Sequence, residues 1–206
     1  MKGLIHDYPK HLLTEHDMRR SGVPPLYWKC TMDKIPSHTT YRAPLEAYCS
    51  KLRDNVEQGR GLLLTGELGR GKTGAAACVL KRAMSHDATG FMVRPAKIAD
   101  AYGSTPRLEF DAEQTYADRI ESVDLLVIDD LGSSSHAAWI VSRIEEVIRH
   151  RHDHLLATIV TTNLTIDGLI AIFGKSCLSV LLACTSEVYC DGCKWRAEEA
   201  TGAAGG

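Results

Sequence analysis

The sequence has no excess of either charge: 24 Lys and Arg stand against 26 Asp and Glu, a net charge of −2 over 206 residues. That balance excludes binding to nucleic acid through bulk positive charge and leaves room only for a local basic stripe. No stretch approaches about 20 uninterrupted apolar residues, and the opening MKGLIHDYPK has no apolar segment behind its first lysine, so a soluble, cytoplasmic protein without a membrane partner is expected. There is no internal repeat. The seven cysteines, Cys30, Cys49, Cys78, Cys177, Cys184, Cys190 and Cys193, are odd in number and scattered, unlike a secreted disulfide framework, so reduced thiols are expected.

What is present is an ordinary globular composition, 44% hydrophobic and 24% charged. The length suits one full-sized domain with short appendages, and a two-domain enzyme is not expected. Residues 1–40 are polar, rich in His and Pro and without a sustained period, which reads as an N-terminal arm or docking segment. From Tyr41 to Val56, Leu45, Tyr48, Cys49, Leu52 and Val56 recur at helical spacing and predict one amphipathic helix. Short apolar runs then alternate with helical patterns. Strands are predicted at Leu62–Thr65, Gly90–Val93, Leu125–Ile128 and Thr158–Thr162, with Val188–Tyr189 a weak fifth. Helices are predicted at Ala75–Met84, Ala96–Tyr102, Ala112–Ile120 and Ala137–His150, the last with Ile140, Val141, Ile144, Val147 and Ile148 on one stripe. Strands apolar on both faces, alternating with helices, predict an α/β fold with a central parallel sheet flanked by helices.

Gly66-Glu67-Leu68-Gly69-Arg70-Gly71-Lys72-Thr73 matches the phosphate-loop pattern G-x-x-x-x-G-K-[ST] directly between a predicted strand and helix. Its glycines let successive N–H groups face a β-phosphate, and the positive end of the helix adds to them. Lys72 is placed to bridge β- and γ-phosphates, and Thr73 to hold Mg²⁺ through its hydroxyl. Asp124-Leu125-Leu126-Val127-Ile128-Asp129-Asp130 is an apolar strand tipped by two carboxylates, at the edge where open α/β sheets bind ligands. Asp129 suits Mg²⁺, and Asp130 the orientation or deprotonation of the attacking water. Asn163, after a third strand, suits a polar contact to the γ-phosphate or that water, although Asn after a strand is also a common turn residue. The expected ligands are therefore ATP and Mg²⁺.

The set GELGRGKT, DLLVIDDLG and TIVTTNL, in that order and spacing, resembles the P-loop AAA+ ATPases of the DnaC/IstB-like helicase-loader family. Ser21-Gly22-Val23-Pro24-Pro25-Leu26-Tyr27 is similar to that family's lead-in, and Trp195-Arg196 to its closing motif. The likeness spans about residues 21–197. It implies an ATP-binding domain over 41–197 with a minimal C-terminal lid, and the Ala/Gly-rich composition of 198–206 reads as a flexible tail. It also implies an ATPase that assembles as a homo-oligomer on single-stranded DNA and delivers or remodels the replicative DNA helicase, one whose hydrolysis a departure at Ser176 and Val180 predicts to be slow or to depend on an arginine from elsewhere. By the same resemblance, the segment before the acidic strand contacts single-stranded DNA. Here that segment carries Phe91, Arg94, Lys97, Tyr102 and Arg107, rings and cations that suit a backbone-tracking surface and equally suit a solvated face over core aromatics.

One departure bears on rate. Where the family carries a pair of arginines, one of which reaches a neighbouring subunit, this chain has Ser176 and Val180, and Lys175 cannot copy a guanidinium fork. Arg151 and Arg149 are the alternative in-trans arginines, and helix-end cations are their plainer reading. Cys190-Asp191-Gly192-Cys193 has C-x-x-C spacing. Cys177 and Cys184, however, lie seven apart on a predicted helix and would not readily converge on a shared Zn²⁺. Three further readings stay open: a transposition-helper ATPase, a nucleotide-switched binding module with very slow hydrolysis, and a small-molecule kinase. The paired aspartates suit the last least.

Overall fold

The computed structural model describes residues 11–103, 116–132 and 138–191. The predicted arm's first ten residues, Arg107, the 192–206 segment with Cys193, Trp195 and Arg196, and residues 112–115 of the predicted Ala112–Ile120 helix lie outside these.

Five strands form one parallel sheet: β1 (Gly61–Thr65), β2 (Gly90–Val93), β3 (Leu125–Leu131), β4 (Ala157–Thr162) and β5 (Thr185–Tyr189), in the spatial order β2-β3-β4-β1-β5. Leu62 to Leu64 pair with Ile159 to Thr161 on one side and with Ser186 to Val188 on the other, so the strand read as weakest closes the sheet beside β1. Alternate residues of each strand face opposite layers. Leu62, Leu64, Val127 and Ile159 pack under α4 (Lys72–Met84), α2 (Arg42–Cys49) and α3 (Leu52–Glu57). Leu63, Leu126, Ile128 and Val160 pack under α5 (Pro95–Gly103), α6 (Tyr116–Ser122), α7 (Ala138–Asp153) and α8 (Ile166–Cys184). The run Ala75-Ala76-Ala77 lets α4 lie close on the sheet, and all three are fully buried.

Three expectations change. The helix predicted over Tyr41–Val56 is two helices, because Lys51 leaves helical geometry at φ −121°, ψ 26°; the helical period continues across the break because both pieces bury the same face. Within the arm expected over 1–40, residues 14–40 are folded onto the domain: α1 (Glu15–Arg20) begins with a Thr14–Asp17 capping box, and Val23 and Ile35 are core residues. Lys81 of α4 is buried and donates to the carbonyl oxygens of Tyr27 and Trp28, each at 2.9 Å, and of Cys30, pinning this segment where sequence periodicity gives no sign of it. The Met92 N–H donates to the Ser21 carbonyl at 2.8 Å, which covers the free edge of β2.

The third concerns α8, the helix that carries Cys177 and Cys184, which by length and composition alone could cross a bilayer although Asp167 and Lys175 interrupt its apolar run. Gly174 breaks it at φ 73°, ψ 162°, and Leu169, Phe173, Cys177, Leu178 and Leu181 pack into the core.

At the end of α7 the chain turns through Leu155, whose φ is 52° although its side chain is 61% exposed. A left-handed non-glycine residue costs about 1–2 kcal/mol, and nothing in the packing of this leucine offsets it. Leu155→Gly should raise stability by about 1 kcal/mol after the added unfolded-state entropy is deducted, or about 2–4 °C in Tm by thermal denaturation.

Candidate nucleotide site

Between β4 and β1 the order of strands reverses, since the chain leaves β1 for the far edge and returns through β2, β3 and β4. Loops at the carboxyl ends of strands diverge at such a point and leave a crevice. Three of the sequence motifs end there, carried by β1, β3 and β4.

The loop after β1 needs backbone angles closed to most residues. Gly66, Gly69 and Gly71 have φ of 131°, 79° and 86°. A side chain at Gly66 would also strike the Cys190 carbonyl, because Cys190 follows β5 across the loop and donates its N–H to Thr65 O at 2.8 Å. Gly71 is the N-cap of α4 and supplies no side-chain cap, so the first amides of the helix point into the loop without one. Lys72 is buried at the start of α4, and its ammonium donates to Gly66 O and Glu67 O at 2.6 Å each. Burial lowers its pKa, and the carboxylates of Asp130 and Asp129 act against that shift. Arg70 pairs with Glu67 at the loop's tip, while Leu68 stands exposed there.

The acidic tip is part of β3 itself, which runs through Asp129 and Asp130 to Leu131, three residues further than the predicted strand. The register slips between Ile128 and Leu131, a bulge, and Asp130 takes φ 66°. Asp129 is 2% exposed and accepts from Thr161 Oγ1 at 2.8 Å and from the Thr73 hydroxyl. Arg94 Nε lies 3.8 Å from its other oxygen. Burial raises the pKa of Asp129 above the ordinary carboxylate range; the two threonine hydroxyls and Arg94 oppose this, and Asp130 reinforces it. The hydroxyl of Thr161 also accepts the Asp130 N–H at 2.8 Å. Sequence reasoning missed Thr161; the one available signal was a threonine in a strand whose six residues are all buried.

Asn163 follows β4 and its Oδ1 is buried without a hydrogen-bond partner among the described residues. A glycine cradle, an uncapped helix start, a hydroxyl already on a buried carboxylate and an unpaired amide oxygen fit a magnesium-bound nucleoside triphosphate and its attacking water. Lys72, Thr73, Asp129, Asp130 and Asn163 are thus brought to one rim.

Other candidates are placed elsewhere. Arg151 is fully buried: it donates to Thr158 Oγ1 at 3.0 Å and to the carbonyls of Ile120, Val123 and Ala157 at 3.0, 2.9 and 2.7 Å. It therefore cannot reach a neighbouring subunit, and the in-trans reading is corrected to a structural one. Burial pushes its pKa down to about 9. Arg149 is partly exposed but held by Glu145 at 2.7 Å and by Ser176 Oγ at 2.9 Å. Phe91 is a core residue beneath the Arg119 guanidinium, and Tyr102 donates to Glu121 at 2.5 Å under the Arg143 guanidinium, so neither ring offers a stacking face. Arg94 and Lys97 are exposed, Lys97 paired with Asp100 at 3.0 Å. Cys177 and Cys190 are buried, and burial raises both thiols, to about 11 and about 12. Among the described residues no three His, Cys, Asp or Glu side chains are grouped to hold a metal.

No family model matches the chain. Among curated proteins it is 24% identical over 168 residues to the replicative helicase loader DnaC of Escherichia coli strain K12, covering 78% of this chain. The chain spans 66% of that protein's length, just under two thirds. Its fold superposes on the crystal structure of the DnaC helicase loader with a TM-score of 0.70 at 20% identity, over 82% of this chain and all of that one. The chain is thus similar to this helicase loader in sequence and in fold. A replication initiator DnaA, solved with AMPPCP and single-stranded DNA, matches with a TM-score of 0.61 at 14% identity, over 80% of this chain and 50% of that one.

Two measurements follow. Asp129→Asn removes a buried charge: with a raised pKa, the group's favourable contribution is present below the ordinary carboxylate pKa and is lost as pH rises through the raised one. At pH 7 the nucleotide-free variant should melt higher by roughly 2–4 °C, and the wild type should narrow that gap as the solution is acidified. The Mg²⁺-dependent part of nucleotide affinity should vanish in the same variant. Arg151→Ala strands three buried carbonyls and should cost about 3–5 kcal/mol in denaturant melts. Normal stability with lost turnover would restore its catalytic reading.

Proposed function

We propose that this chain binds Mg·ATP at the crevice between β1 and β4, hydrolyses it slowly, and acts in DNA replication as a helicase loader. In this reading it assembles as a homo-oligomer on single-stranded DNA and delivers or remodels the replicative helicase. The observation that carries the nucleotide reading is the convergence of the loop after β1 with the two carboxylates of β3 and Asn163 of β4. The loader part is supported by the likeness to DnaC, and the single-strand part by the fold shared with a DnaA solved on such DNA. Both favour the loader over a transposition helper.

In the mechanism the loop amides and Lys72 grip the β- and γ-phosphates. Thr73 and Asp129 would hold Mg²⁺, which supplies charge neutralisation across the phosphate oxygens. Asp130, re-aimed by the bulge, orients the attacking water and takes its proton. The unpaired Oδ1 of Asn163 accepts the second O–H of that water and fixes it in line. An added guanidinium can contribute about 10³–10⁵-fold to turnover, and with Arg151 buried and Arg149 held by Glu145 and Ser176, hydrolysis is slow enough to serve as a timer.

Lys72→Ala should weaken ATP binding, whereas Asp130→Asn should preserve binding and stop hydrolysis, read by nucleotide titration and phosphate release. Equal loss of binding in both would contradict the assigned roles. The Asp130→Asn protein, held with ATP, should retain the replicative helicase from host lysate; a transposase in its place would move the same chemistry to target-DNA selection. Turnover of tens per second would remove the timer.

A further inference from the structure

The end of α7 and the residue after it carry histidines at three alternate positions, His150, His152 and His154. Helical geometry sorts them, since residues four apart are neighbours on one face and residues two apart are not. The rings of His150 and His154 lie stacked, centroids 4.2 Å apart at 29°, while His152 meets Asp153, Nδ1 to Oδ1, at 3.3 Å. A further contact fixes the ring of His154. Its Nδ1 lies 2.8 Å from the His150 carbonyl oxygen, which also accepts the His154 backbone N–H at 3.1 Å. A carbonyl oxygen only accepts, so Nδ1 carries the proton and, in the neutral ring, Nε2 carries the lone pair. His154 is exposed, and His150 is half-buried beside it. One ring nitrogen donating to a main-chain carbonyl while the other keeps a lone pair is the arrangement of an imidazole that ligates a metal.

The geometry points to a two-imidazole chelate at His150 and His154 for a divalent transition-metal cation of the class of Ni²⁺, Cu²⁺ and Zn²⁺, with water completing the coordination. This i, i+4 spacing is the one by which a helix presents two imidazoles to a single metal. Imidazole suits those cations and not Mg²⁺, so the pair does not compete for the ion proposed at the nucleotide crevice. The setting favours positive charge. The carboxyl end of α7 contributes its partial negative charge, and Glu146, one turn before His150, and Asp153 add two carboxylates. Glu146 is engaged with Arg143 and Asp153 with His152, which leaves the protein ligands at two. Of the cations on this turn, Arg151 is directed into the core and Arg149 is held by Glu145 and Ser176. Because the strands are parallel, the end of α7 lies at the amino end of the sheet, across the molecule from the crevice. The chelate is therefore independent of the nucleotide reading. A cation held there would clip the last turn of α7 immediately before Leu155, the left-handed residue through which the chain enters β4.

The test is calorimetric titration of the untagged full chain with NiCl₂, without nucleotide, paired with thermal melts. The wild type should show a Ni²⁺ site that His154→Ala and His150→Ala each weaken at least about tenfold, because the second imidazole binds as an intramolecular ligand. His152→Ala should leave that site unchanged. Ni²⁺ should raise the Tm of the wild type and of His152→Ala but not that of His154→Ala, since a cation stabilises the fold only where the folded pair binds it better than the unfolded chain does. His154 is exposed, so His154→Ala should melt as the wild type does without metal, and it carries the test even where His150→Ala disturbs packing. Equal loss of affinity in His152→Ala and His154→Ala, or Ni²⁺ binding with no rise in Tm, would mark a histidine-rich stretch that chelates in any conformation and would overturn the built site. Binding indifferent to both His150→Ala and His154→Ala would place the ion elsewhere, and absence of binding at millimolar Ni²⁺ would remove the chelate.

Discussion

The geometry of the nucleotide crevice turns on one hydroxyl. Thr161 on β4 donates to Asp129 and accepts from the Asp130 N–H, both at 2.8 Å, so a single side chain satisfies the two halves of a bulged strand end. Without it the bulge in β3 would leave a buried amide and a buried carboxylate each short of a partner, at about 1–3 kcal/mol for each group or more where charged. With it the strand can slip register and Asp130 can adopt φ 66°, which turns the second carboxylate away from the ladder and toward the crevice. Two adjacent acids on one strand would otherwise point to opposite faces of the sheet. The bulge is therefore what lets both serve one rim.

A second constraint concerns buried cations, which this fold satisfies with main-chain carbonyls and without carboxylates in direct contact. Lys72 takes two carbonyls of the phosphate loop, Lys81 three from the lead-in segment, and Arg151 three, from the last turn of α6, the residue after it and the start of β4. Each gathers carbonyls from several separate pieces of chain, at loops and element ends, and so ties those pieces to the element that carries the cation. Lys72 and Lys81 stand on the same helix, so α4 anchors the phosphate loop at its first turn and the lead-in segment near its last.

This explains which parts of the molecule could be read from sequence. The strands, the parallel sheet and the phosphate loop were legible because each is written in local order: apolar runs, helical period, glycines at fixed intervals. The acidic tip was legible as a pair of residues, but the bulge that orients it depends on Thr161, 32 positions from Asp129. Residues 14–40 looked like a free arm because their attachment is through backbone oxygens to a lysine on a distant helix, a contact with no periodic signature. Arg151 reads as a helix-end cation by position, since nothing local tells that the sheet and α6 close over it. Phe91, read as a candidate stacking ring, is covered for the same reason: which rings are buried is decided by packing between elements, not by spacing along one.

The anomalies of the chain then separate into two kinds by how completely they are satisfied. Lys81 and Arg151 are buried charges whose every nitrogen has an acceptor within the protein, and such groups, though costly to desolvate, ask nothing of a ligand. At the rim of the crevice the accounts stay open. Asp129 is charged against its environment, with its pKa raised by burial in spite of two hydroxyl donors; Asp130 holds a left-handed backbone angle; Asn163 keeps a buried oxygen with no partner among the described residues. Incomplete satisfaction costs stability in the isolated protein and is relieved only by something that brings positive charge and hydrogen-bond donors. A divalent cation with a triphosphate and an ordered water would meet those needs in one ligand, so the residues that weaken the fold are the ones on which the proposed reading rests.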